Sequence, residues 1–307
     1  MKVLSLTEPF ATLILEKKKL IETRSWKTNY RGELYIHASQ TKVSKNDLED
    51  KELMPLLGNK NMNFGYIICK CKLVDCIYMT KEYVEEMKKN NYQEYICGIY
   101  EEGRYAWILE DIETIKPIKA KGQLNVWDYF NEFEIMNLME NIEYGWMDKQ
   151  GSKHNIVDES YSKNYILPSP KEIIGNKVGV CWDQVELERY YFKGNDWNIK
   201  TYFIVHYDID KCPTHTFLTF EKGNKYYWFE HSWEKFRGIH EYATLKDLLL
   251  DVRDKFIKYE LNDVCEKNNL CIYNYKKPKY HINVLEFFKH CESGINISLE
   301  DKEYGYK

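Results

Sequence analysis

Three residues in the second half of the chain have the types and the order that thiol acyl-transfer chemistry needs. Cys181 comes first, in Gly-Val-Cys-Trp at residues 179–182, and is followed by His215 and then by Glu230. A thiol is mostly protonated at neutral pH, so a cysteine nucleophile needs a base beside it and a feature that lowers its pKa. The residues around Cys181 predict a helix start, where the helix dipole supplies part of that shift. We therefore interpret Cys181 as a candidate nucleophile, His215 as its base and Glu230 as the acid that orients the imidazole.

The spacing between the histidine and the acid predicts a β-hairpin. A four-residue loop at 221–224 places His215 directly opposite Glu230, with the two side chains on one face. A two-residue loop would instead place Ser232 opposite His215, still on that face. We expect the four-residue loop, and we expect His231 to point to the opposite face, which makes it the weaker candidate for the base.

The same residues allow an interpretation without catalysis. Cys181 would then be a buried thiol that packs under Trp182, because free cysteines are among the most buried residue types. His215 would be a strand histidine bonded to backbone. The predicted helix start and the predicted strand pairing keep the catalytic interpretation open beside this structural one.

Composition and charge limit the class of protein. The chain has 307 residues, 30% of them charged, and a net charge of −4. These values are typical of a globular protein of two domains, and they argue against electrostatic binding of nucleic acid over the whole surface. No apolar run approaches the roughly 20 residues that span a bilayer, and Glu8-Pro9 interrupts the first apolar stretch, so we expect a cytoplasmic protein. The nine cysteines lack a zinc-binding spacing, so we expect free thiols, no metal and no cofactor.

Many short strands are predicted in the first half of the chain, with few helices between them. We expect strands at 3–6, 33–38, 66–74 and 105–110, a helix at 9–18 and a charged surface helix at 81–89. This pattern is typical of a small closed or half-closed β-barrel. A connecting helix is predicted within residues 131–150, and we place the domain boundary after residue 132.

The second half predicts helices followed by an antiparallel sheet, an α+β arrangement. Ser169 and Pro170 mark a helix start, as N-cap and first-turn residue. The remaining predicted elements are a helix at 181–192, strands at 200–207, 215–220 and 225–232, and helices at 244–256 and 283–290. The helix at 244–256 has its apolar residues on one face.

The segment from about 145 to 235 resembles the transglutaminase-like branch of papain-fold cysteine enzymes. The residues that carry the likeness are Gly-Val-Cys-Trp at 179–182, Thr-His-Thr-Phe at 214–217 and Trp-Phe-Glu-His-Ser-Trp at 228–233. The family usually has aspartate where this chain has Glu230. The resemblance implies a Cys-His-Glu triad that hydrolyses a protein or peptide amide or transfers its acyl group to an amine. It also implies a side-chain donor to the oxyanion shortly before the cysteine, for which Asn176 is the candidate.

The first 130 residues or so resemble the ASCH domain, a PUA-like β-barrel. The likeness rests on Ser-Leu-Thr-Glu-Pro-Phe-Ala at 5–11, Ile-Glu-Thr-Arg-Ser-Trp at 21–26, Tyr-Arg-Gly-Glu-Leu at 30–34 and Ile-His-Ala-Ser at 36–39. The resemblance implies binding of RNA, a nucleotide or a modified nucleobase. The residues it implies for that cleft are Lys19, Glu22, Arg24, Trp26, Tyr30 and Arg31. Some relatives hydrolyse an acetylated nucleobase with a lysine, a threonine and a glutamate, but Glu22 stands at the threonine position here, so we expect a binding domain.

Taken together, these patterns predict an ASCH domain at 1–132 and a transglutaminase-like domain at 133–307. We expect a protein that recognises RNA or a nucleotide and carries a thiol hydrolase or acyltransferase. Two alternatives stay open: a catalytically inactive transglutaminase-like fold in a nucleic-acid-binding protein, and an ASCH domain that is itself a nucleobase amidohydrolase.

Overall fold

The computed structural model describes residues 1–208, 212–265 and 269–299. The chain divides into two compact units. The N-terminal unit consists of Met1–Phe130 together with Gly194–Asp196, and the C-terminal unit consists of Asn131–Lys193 and the described residues from Trp197 onward. Within these ranges no helix has the length and apolar character needed to cross a membrane.

The N-terminal unit is built on a six-stranded sheet that curls into a half-barrel. Its strands are β1 (Lys2–Leu6), β2 (Ile21–Arg24), β3 (Gly32–Ala38), β4 (Tyr66–Tyr78), β5 (Tyr105–Lys119) and β6 (Val126–Asp128). Their order across the sheet is β2-β5-β4-β3-β1-β6. Only the β1–β3 pair is parallel among these neighbours. The predicted strands are confirmed, but β4 and β5 extend well beyond their predicted ends.

Short helices surround this sheet. They are α1 (Phe10–Leu15), α2 (Lys45–Glu49), α3 (Lys81–Asn90) and α4 (Tyr92–Ile96), with a 3₁₀ turn at Met54–Leu57. The helix predicted at 9–18 is shorter than expected, because Lys17 adopts a left-handed conformation with φ of 58°. The buried carboxylate of Glu8 accepts hydrogen bonds from the backbone and the hydroxyl of Thr12, at 3.0 and 2.8 Å, and so anchors the start of α1.

The C-terminal unit contains a second six-stranded sheet in which all neighbours are antiparallel. Its strands are β9 (Asn198–His206), β10 (Thr214–Lys222), β11 (Lys225–Glu230), β12 (Gly238–Tyr242), β13 (Leu270–Tyr275) and β14 (Ile295–Asn296). The order is β12-β11-β10-β9-β13-β14. A separate two-stranded ribbon pairs β7 (Trp146–Met147) with β8 (Lys153–His154).

Among its described residues, the C-terminal unit has six helices and a 3₁₀ turn at Glu234–Phe236. The helices are α5 (Glu132–Met139), α6 (Glu159–Asn164), α7 (Pro170–Asn176), α8 (Cys181–Phe192), α9 (Leu245–Glu260) and α10 (Val284–Glu292). The helix predicted at 181–192 coincides with α8, and Ser169 caps α7 with Glu172 in a capping box. Beside Cys181, the indole of Trp182 stacks on Phe287 with 4.4 Å between ring centroids, so the start of α8 is fixed in an aromatic core.

The hairpin of β10 and β11 differs from the expected register. Lys222 pairs with Lys225, so Gly223 and Asn224 alone form the loop, and continuing the register puts Ser232 opposite His215. Both loop residues have positive φ, 60° and 63°, as a tight type I′ turn requires. The four-residue loop is therefore wrong, and the two-residue alternative is the one observed.

Candidate functional site

Cys181, His215 and Glu230 form one buried cluster. Cys181 is the first residue of α8, and its side chain faces the sheet that carries the other two. The Nε2 atom of His215 donates to Glu230 Oε2 at 2.8 Å. The side chain of Cys181 is close enough to the His215 ring to contribute to its raised pKa. The imidazole thus bonds to the carboxylate and lies near the thiol.

The carboxylate of Glu230 is held by several donors besides His215. It accepts from the Trp228 indole at 3.2 Å, the Ser232 hydroxyl at 3.0 Å and the Trp233 backbone N–H at 2.8 Å. Burial by itself would raise the pKa of Glu230, but the charge of His215 and these hydrogen bonds hold it below its ordinary value. The acid therefore stays ionised although it is only 1% exposed.

His215 responds to this ionised neighbour. Burial opposes a charged imidazole, yet the charge of Glu230 and the hydrogen bonds to Cys181 and Glu230 raise the pKa of His215 to about 10. Its ring is protonated at neutral pH as a result. A protonated imidazole beside a thiol favours the thiolate, which is the nucleophilic form of cysteine.

A second polar chain fixes the backbone just before the cysteine. The Gln184 side-chain N–H donates to the Gly179 carbonyl at 2.7 Å, and Gln184 Oε1 lies 2.7 Å from His231 Nδ1. His231 was expected on the far face of the strand, but it follows the last residue of β11 and turns toward α8. Burial, helped by Arg237, lowers the pKa of His231 to about 4, so this ring stays neutral. His231 therefore supports the backbone just before Cys181 rather than acting as the base.

Two further acids lie on α8 near the cluster, and the sequence reasoning missed both. Asp183 accepts from the Val180 backbone N–H at 3.0 Å and from the Tyr165 hydroxyl, and burial raises its pKa to about 7. Glu188 is 2% exposed, its Oε2 has no hydrogen-bond partner among the described residues, and burial raises its pKa well above the ordinary value. Helical spacing at i, i+3 and i+7 could have indicated that Gln184 and Glu188 share the face of Cys181.

The expected oxyanion donor, Asn176, is not part of this cluster. It is the last residue of α7, its side chain is exposed, and it makes no side-chain hydrogen bond within the described part of the chain. The left-handed Lys177, with φ of 54°, ends the helix there and turns the chain away. The backbone N–H groups of Cys181 and Trp182 belong to the first turn of α8, where a helix offers them no intrahelical acceptor.

The N-terminal unit has a cleft of about 410 Å³, which we call the main cleft. Its lining residues include Phe10, Lys19, Glu22, Thr23, Arg24, Trp26 and Arg104. Four of the expected ligand-binding residues, Lys19, Glu22, Arg24 and Trp26, are therefore brought together. Glu22 ion-pairs with Lys19 at 3.3 Å and with Arg24 at 3.0 Å. Trp26 packs edge-on against Trp107, with 4.6 Å between centroids, and remains half-buried.

Lys19 is a structural cation within the main cleft. Its side chain is 1% exposed, and Nζ donates to the carbonyls of Ile21 at 2.6 Å and Cys97 at 2.8 Å. These bonds join β2 to the chain after α4. Arg104, which sequence reasoning missed, reinforces the same junction by donating to the carbonyls of Ile99 at 3.2 Å and of Thr23 in β2 at 3.4 Å.

Tyr30 and Arg31 do not line the main cleft. The Tyr30 hydroxyl donates to the Glu33 carbonyl at 2.5 Å, and Arg31 Nη2 donates to Asp75 at 3.0 Å on β4. Both residues lie where the chain turns between β2 and β3, and these local bonds hold their side chains away from the main cleft. Both residues therefore lie outside the main cleft, and their part in ligand binding stays a prediction.

Comparison with known proteins identifies one part of the chain. The ASCH domain model matches residues 4–119. Among solved structures, the crystal structure of ASCH from Zymomonas mobilis is 19% identical over 38% of this chain and 72% of that one, with a TM-score of 0.26. A mutant of the same protein is 20% identical over 38% and 74%, also with a TM-score of 0.26. No curated protein matches the chain. The family match ends before the C-terminal unit, and it concerns the N-terminal unit alone: residues 4–119 match the ASCH domain family.

Proposed function

We propose that the C-terminal unit is a cysteine-dependent amide hydrolase or acyltransferase. Cys181 is the nucleophile, His215 its acid and base, and Glu230 the residue that orients and charges the imidazole. The observation that carries this proposal is the His215 ring, which lies near Cys181 and is hydrogen-bonded to Glu230 at 2.8 Å. The position of Cys181 at the start of a helix supports it, because the dipole there favours a thiolate.

The chemistry proceeds through a thioester. The Cys181 thiolate forms a bond to the carbonyl carbon, and an electron pair moves to the carbonyl oxygen. When the C–N bond breaks, the protonated His215 gives its proton to the leaving nitrogen. Neutral His215 then takes a proton from a water or an amine, which attacks the thioester and releases the thiolate. Water yields hydrolysis of a protein or peptide amide, and an amine yields acyl transfer.

Oxyanion stabilisation is assigned to backbone rather than to Asn176. The Val180 N–H is already bonded to Asp183, so the N–H groups of Cys181 and Trp182 remain as the first-turn donors nearest the sulfur. Asn176 stays a candidate only if substrate binding moves the end of α7. A helix that begins at the cysteine and precedes a hairpin with the histidine and the acid agrees with the transglutaminase-like resemblance. We retain that resemblance as a proposal, with domain limits of 133–307.

A screen with an amide and thioester substrate library tests this function. Wild type and Cys181→Ala are compared, with Cys212→Ala as the matched control because Cys212 is an exposed thiol outside the cluster. We expect turnover in the wild type and the control and none in Cys181→Ala. Equal turnover in all three proteins would reject Cys181 as the nucleophile, and an absence of turnover with slow alkylation of Cys181 would favour the catalytically inactive fold.

A second function is proposed for the N-terminal unit, within domain limits of 1–132: binding of RNA, a nucleotide or a modified nucleobase in the main cleft. The ASCH match supports this proposal, as does the presence of both the half-buried Trp26 and Arg24 in the lining of the main cleft. An aromatic face can stack a base and an arginine can fork onto phosphate. Arg24→Ala should abolish nucleotide binding measured by calorimetry. Arg31→Ala removes the same charge outside the cleft and should leave the affinity unchanged, so an equal loss in both would reject the site.

Nucleobase amide hydrolysis by the ASCH domain remains the alternative. The Lys19 ammonium already donates to two carbonyls and contacts Glu22, which leaves it poorly placed to take a proton from a substrate. Release of acetate from an acetylated nucleoside by wild type, and its loss in Lys19→Ala with the fold intact, would establish this alternative over simple binding.

A further inference from the structure

Ser5 and His37 form a hydrogen-bonded pair in the N-terminal unit, and neither has a role in the functions proposed above. They lie directly opposite each other where β1 pairs with β3. Ser5 Oγ is 3.1 Å from His37 Nδ1. A hydroxyl beside an imidazole is the arrangement that lets a histidine activate a serine as a nucleophile.

The second ring nitrogen of His37 fixes which nitrogen carries the hydrogen. Nε2 lies 3.3 Å from the Ala120 carbonyl, and a carbonyl oxygen can only accept a hydrogen bond. Nε2 must therefore be the donor, which leaves Nδ1 of the neutral ring to accept from the Ser5 hydroxyl. His37 is fully buried, and burial lowers its pKa although the bond to Ala120 opposes this, so the ring is neutral at pH 7.

Ser5 is held in place from several directions. Its Oγ accepts from the Trp127 indole at 3.0 Å, and its backbone carbonyl accepts from Arg24 Nη2 at 3.2 Å. The backbone at Gly122 passes so close that an added Cβ would lie 3.1 Å from Ser5 Oγ and 2.7 Å from the His37 ring. A hydroxyl oxygen has two lone pairs, so the bond from Trp127 leaves one of them for attack on a substrate.

Ser5 lines two cavities, whereas His37 lies behind it. One is the main cleft, and the other is a cavity of about 490 Å³ that we call the side cavity. The segments 39–41 and 121–125 line much of the side cavity, mainly with hydroxyl and amide side chains. Among them is Gln123, whose Nε2 is a buried donor without a hydrogen-bond partner in the described part of the chain. A substrate in the side cavity can therefore reach the Ser5 hydroxyl, and Gln123 offers a donor for the oxygen that becomes negative on attack.

We propose that Ser5 is a second nucleophile of this protein, which hydrolyses carboxylic esters of polar alcohols with His37 as its base. The Ser5 oxygen forms a bond to the ester carbonyl carbon while its proton passes to His37 Nδ1. That proton goes to the alcohol oxygen as the C–O bond breaks, and an acyl-serine remains. Water then attacks the acyl-serine and gives a proton to His37, which returns it to the Ser5 oxygen as the carboxylic acid leaves.

The hydroxyl and amide lining of the side cavity is the reason for the substrate class, because it can bond to further hydroxyl groups on the alcohol. The step uses neither Cys181 nor Lys19. The proposal is therefore independent of the thiol chemistry and of amide hydrolysis through Lys19, and it requires no nucleic acid.

Labelling with a fluorophosphonate, followed by peptide mass spectrometry, tests the nucleophile. All proteins carry Cys181→Ala, so that this thiol cannot react. Ser39 is the internal control, because it lines the same cavity but donates to the Thr41 hydroxyl at 2.9 Å instead of to a histidine. We expect Ser5 to be labelled at least about tenfold faster than Ser39, and His37→Gln to slow the labelling of Ser5 by about 10²-fold, the scale of general-base catalysis. Labelling of Ser5 no faster than that of Ser39 would overturn the proposal, and this comparison needs no substitution at Ser5.

Release of acetate from glyceryl acetate and from octyl acetate tests the substrate class in the same background. Ser5→Ala should bring release down to the uncatalysed rate, whereas Ser39→Ala should keep the rate of the parent protein. Glyceryl acetate should be the faster substrate. Equal rates in the parent and Ser5→Ala, or equal losses in the two serine variants, would reject Ser5 as the nucleophile. Faster hydrolysis of octyl acetate would reject the polar alcohol.

Discussion

Replacing Glu230 with glutamine should lower the reactivity of the Cys181 thiol while leaving the thiol in place. The carboxylate of Glu230 accepts four hydrogen bonds and is 1% exposed, whereas glutamine offers one acceptor oxygen and a neutral amide. The charge of Glu230 is what raises the pKa of His215 to about 10 against the effect of burial. Without that charge, burial should bring the pKa below 6.5, so the protonated fraction at pH 7 falls from nearly all to about a quarter or less.

Alkylation by iodoacetamide at pH 7, followed by peptide mass spectrometry, measures this directly. We expect Cys181 in Glu230→Gln to react roughly tenfold or more slowly than in wild type, because the imidazolium that stabilises its thiolate is lost. Any amide turnover should fall by about 10³- to 10⁴-fold, the scale seen when a triad loses its orienting acid. Glu230→Asp keeps the charge on a shorter side chain and should lie between the two, while Cys265 in the same digest reports general reactivity.

An unchanged alkylation rate for Cys181 in Glu230→Gln would refute this reasoning. It would mean that the ion pair with Glu230 does not control the protonation of His215. If Cys181 in the wild type reacts no faster than Cys265, the proposal that Cys181 is an activated nucleophile is rejected as well.

Three other perturbations probe the surrounding contacts. Gln184→Leu should lower the free energy of unfolding by about 1–3 kcal/mol, because the Gly179 carbonyl and His231 lose a buried partner; an unchanged urea midpoint would contradict this. The pKa of His231 is lowered to about 4, so between pH 6.5 and 4 the unfolded chain binds more protons than the folded one. The free energy of unfolding must therefore fall as the pH is lowered through that window, by about 3 kcal/mol in all. His231→Asn should flatten this part of the curve of stability against pH, and an identical slope would exclude His231 as its source. Lys19→Met leaves the carbonyls of Ile21 and Cys97 without their buried donor, while Glu22 keeps its ion pair with Arg24. It should cost about 2–4 kcal/mol by chemical denaturation; a loss below about 1 kcal/mol would show that these bonds are dispensable.

The parts of the fold that local chemistry determines were accessible from the sequence. Ser169 and Pro170 predicted the start of α7, and the apolar periodicity of the helix at 244–256 predicted its buried face, which α9 has. Both signals depend on residues a few positions apart. The match of residues 4–119 to the ASCH family was accessible for a similar reason, because several short motifs occur together along the chain.

The proximity of Cys181, His215 and Glu230 was expected in spite of an error in the hairpin, and their catalytic role stays a proposal. The expected and observed registers differ by two residues, and side chains alternate with a period of two along a strand. Glu230 therefore stays on the face of His215, now as a diagonal neighbour, and the end of β11 lets its carboxylate reach the ring. The Gly-Asn pair at 223–224 was the sequence signal that could have settled the loop length, because these residue types tolerate the positive φ that a two-residue turn requires.

Contacts between distant segments could not be predicted. Gln184 and His231 lie 47 residues apart, and no spacing rule joins a helix residue to the end of a strand that follows it by three elements. Arg104 reaches the main cleft from the start of β5 for the same reason. Conversely, Tyr30 and Arg31 lie close to Trp26 in the sequence but are held elsewhere by Glu33 and Asp75.

The two-residue turn at Gly223 and Asn224 also sets which insertions the hairpin can accept. Adding two residues to this loop would preserve the side of the sheet on which the histidine and the acid lie. Adding a single residue would shift the strand register by one. Either the histidine or the acid would then move to the other side of the sheet, unless a β-bulge absorbed the extra residue. Divergence in loop length should therefore proceed in steps of two wherever the thiol chemistry is kept, and single-residue changes should accompany its loss.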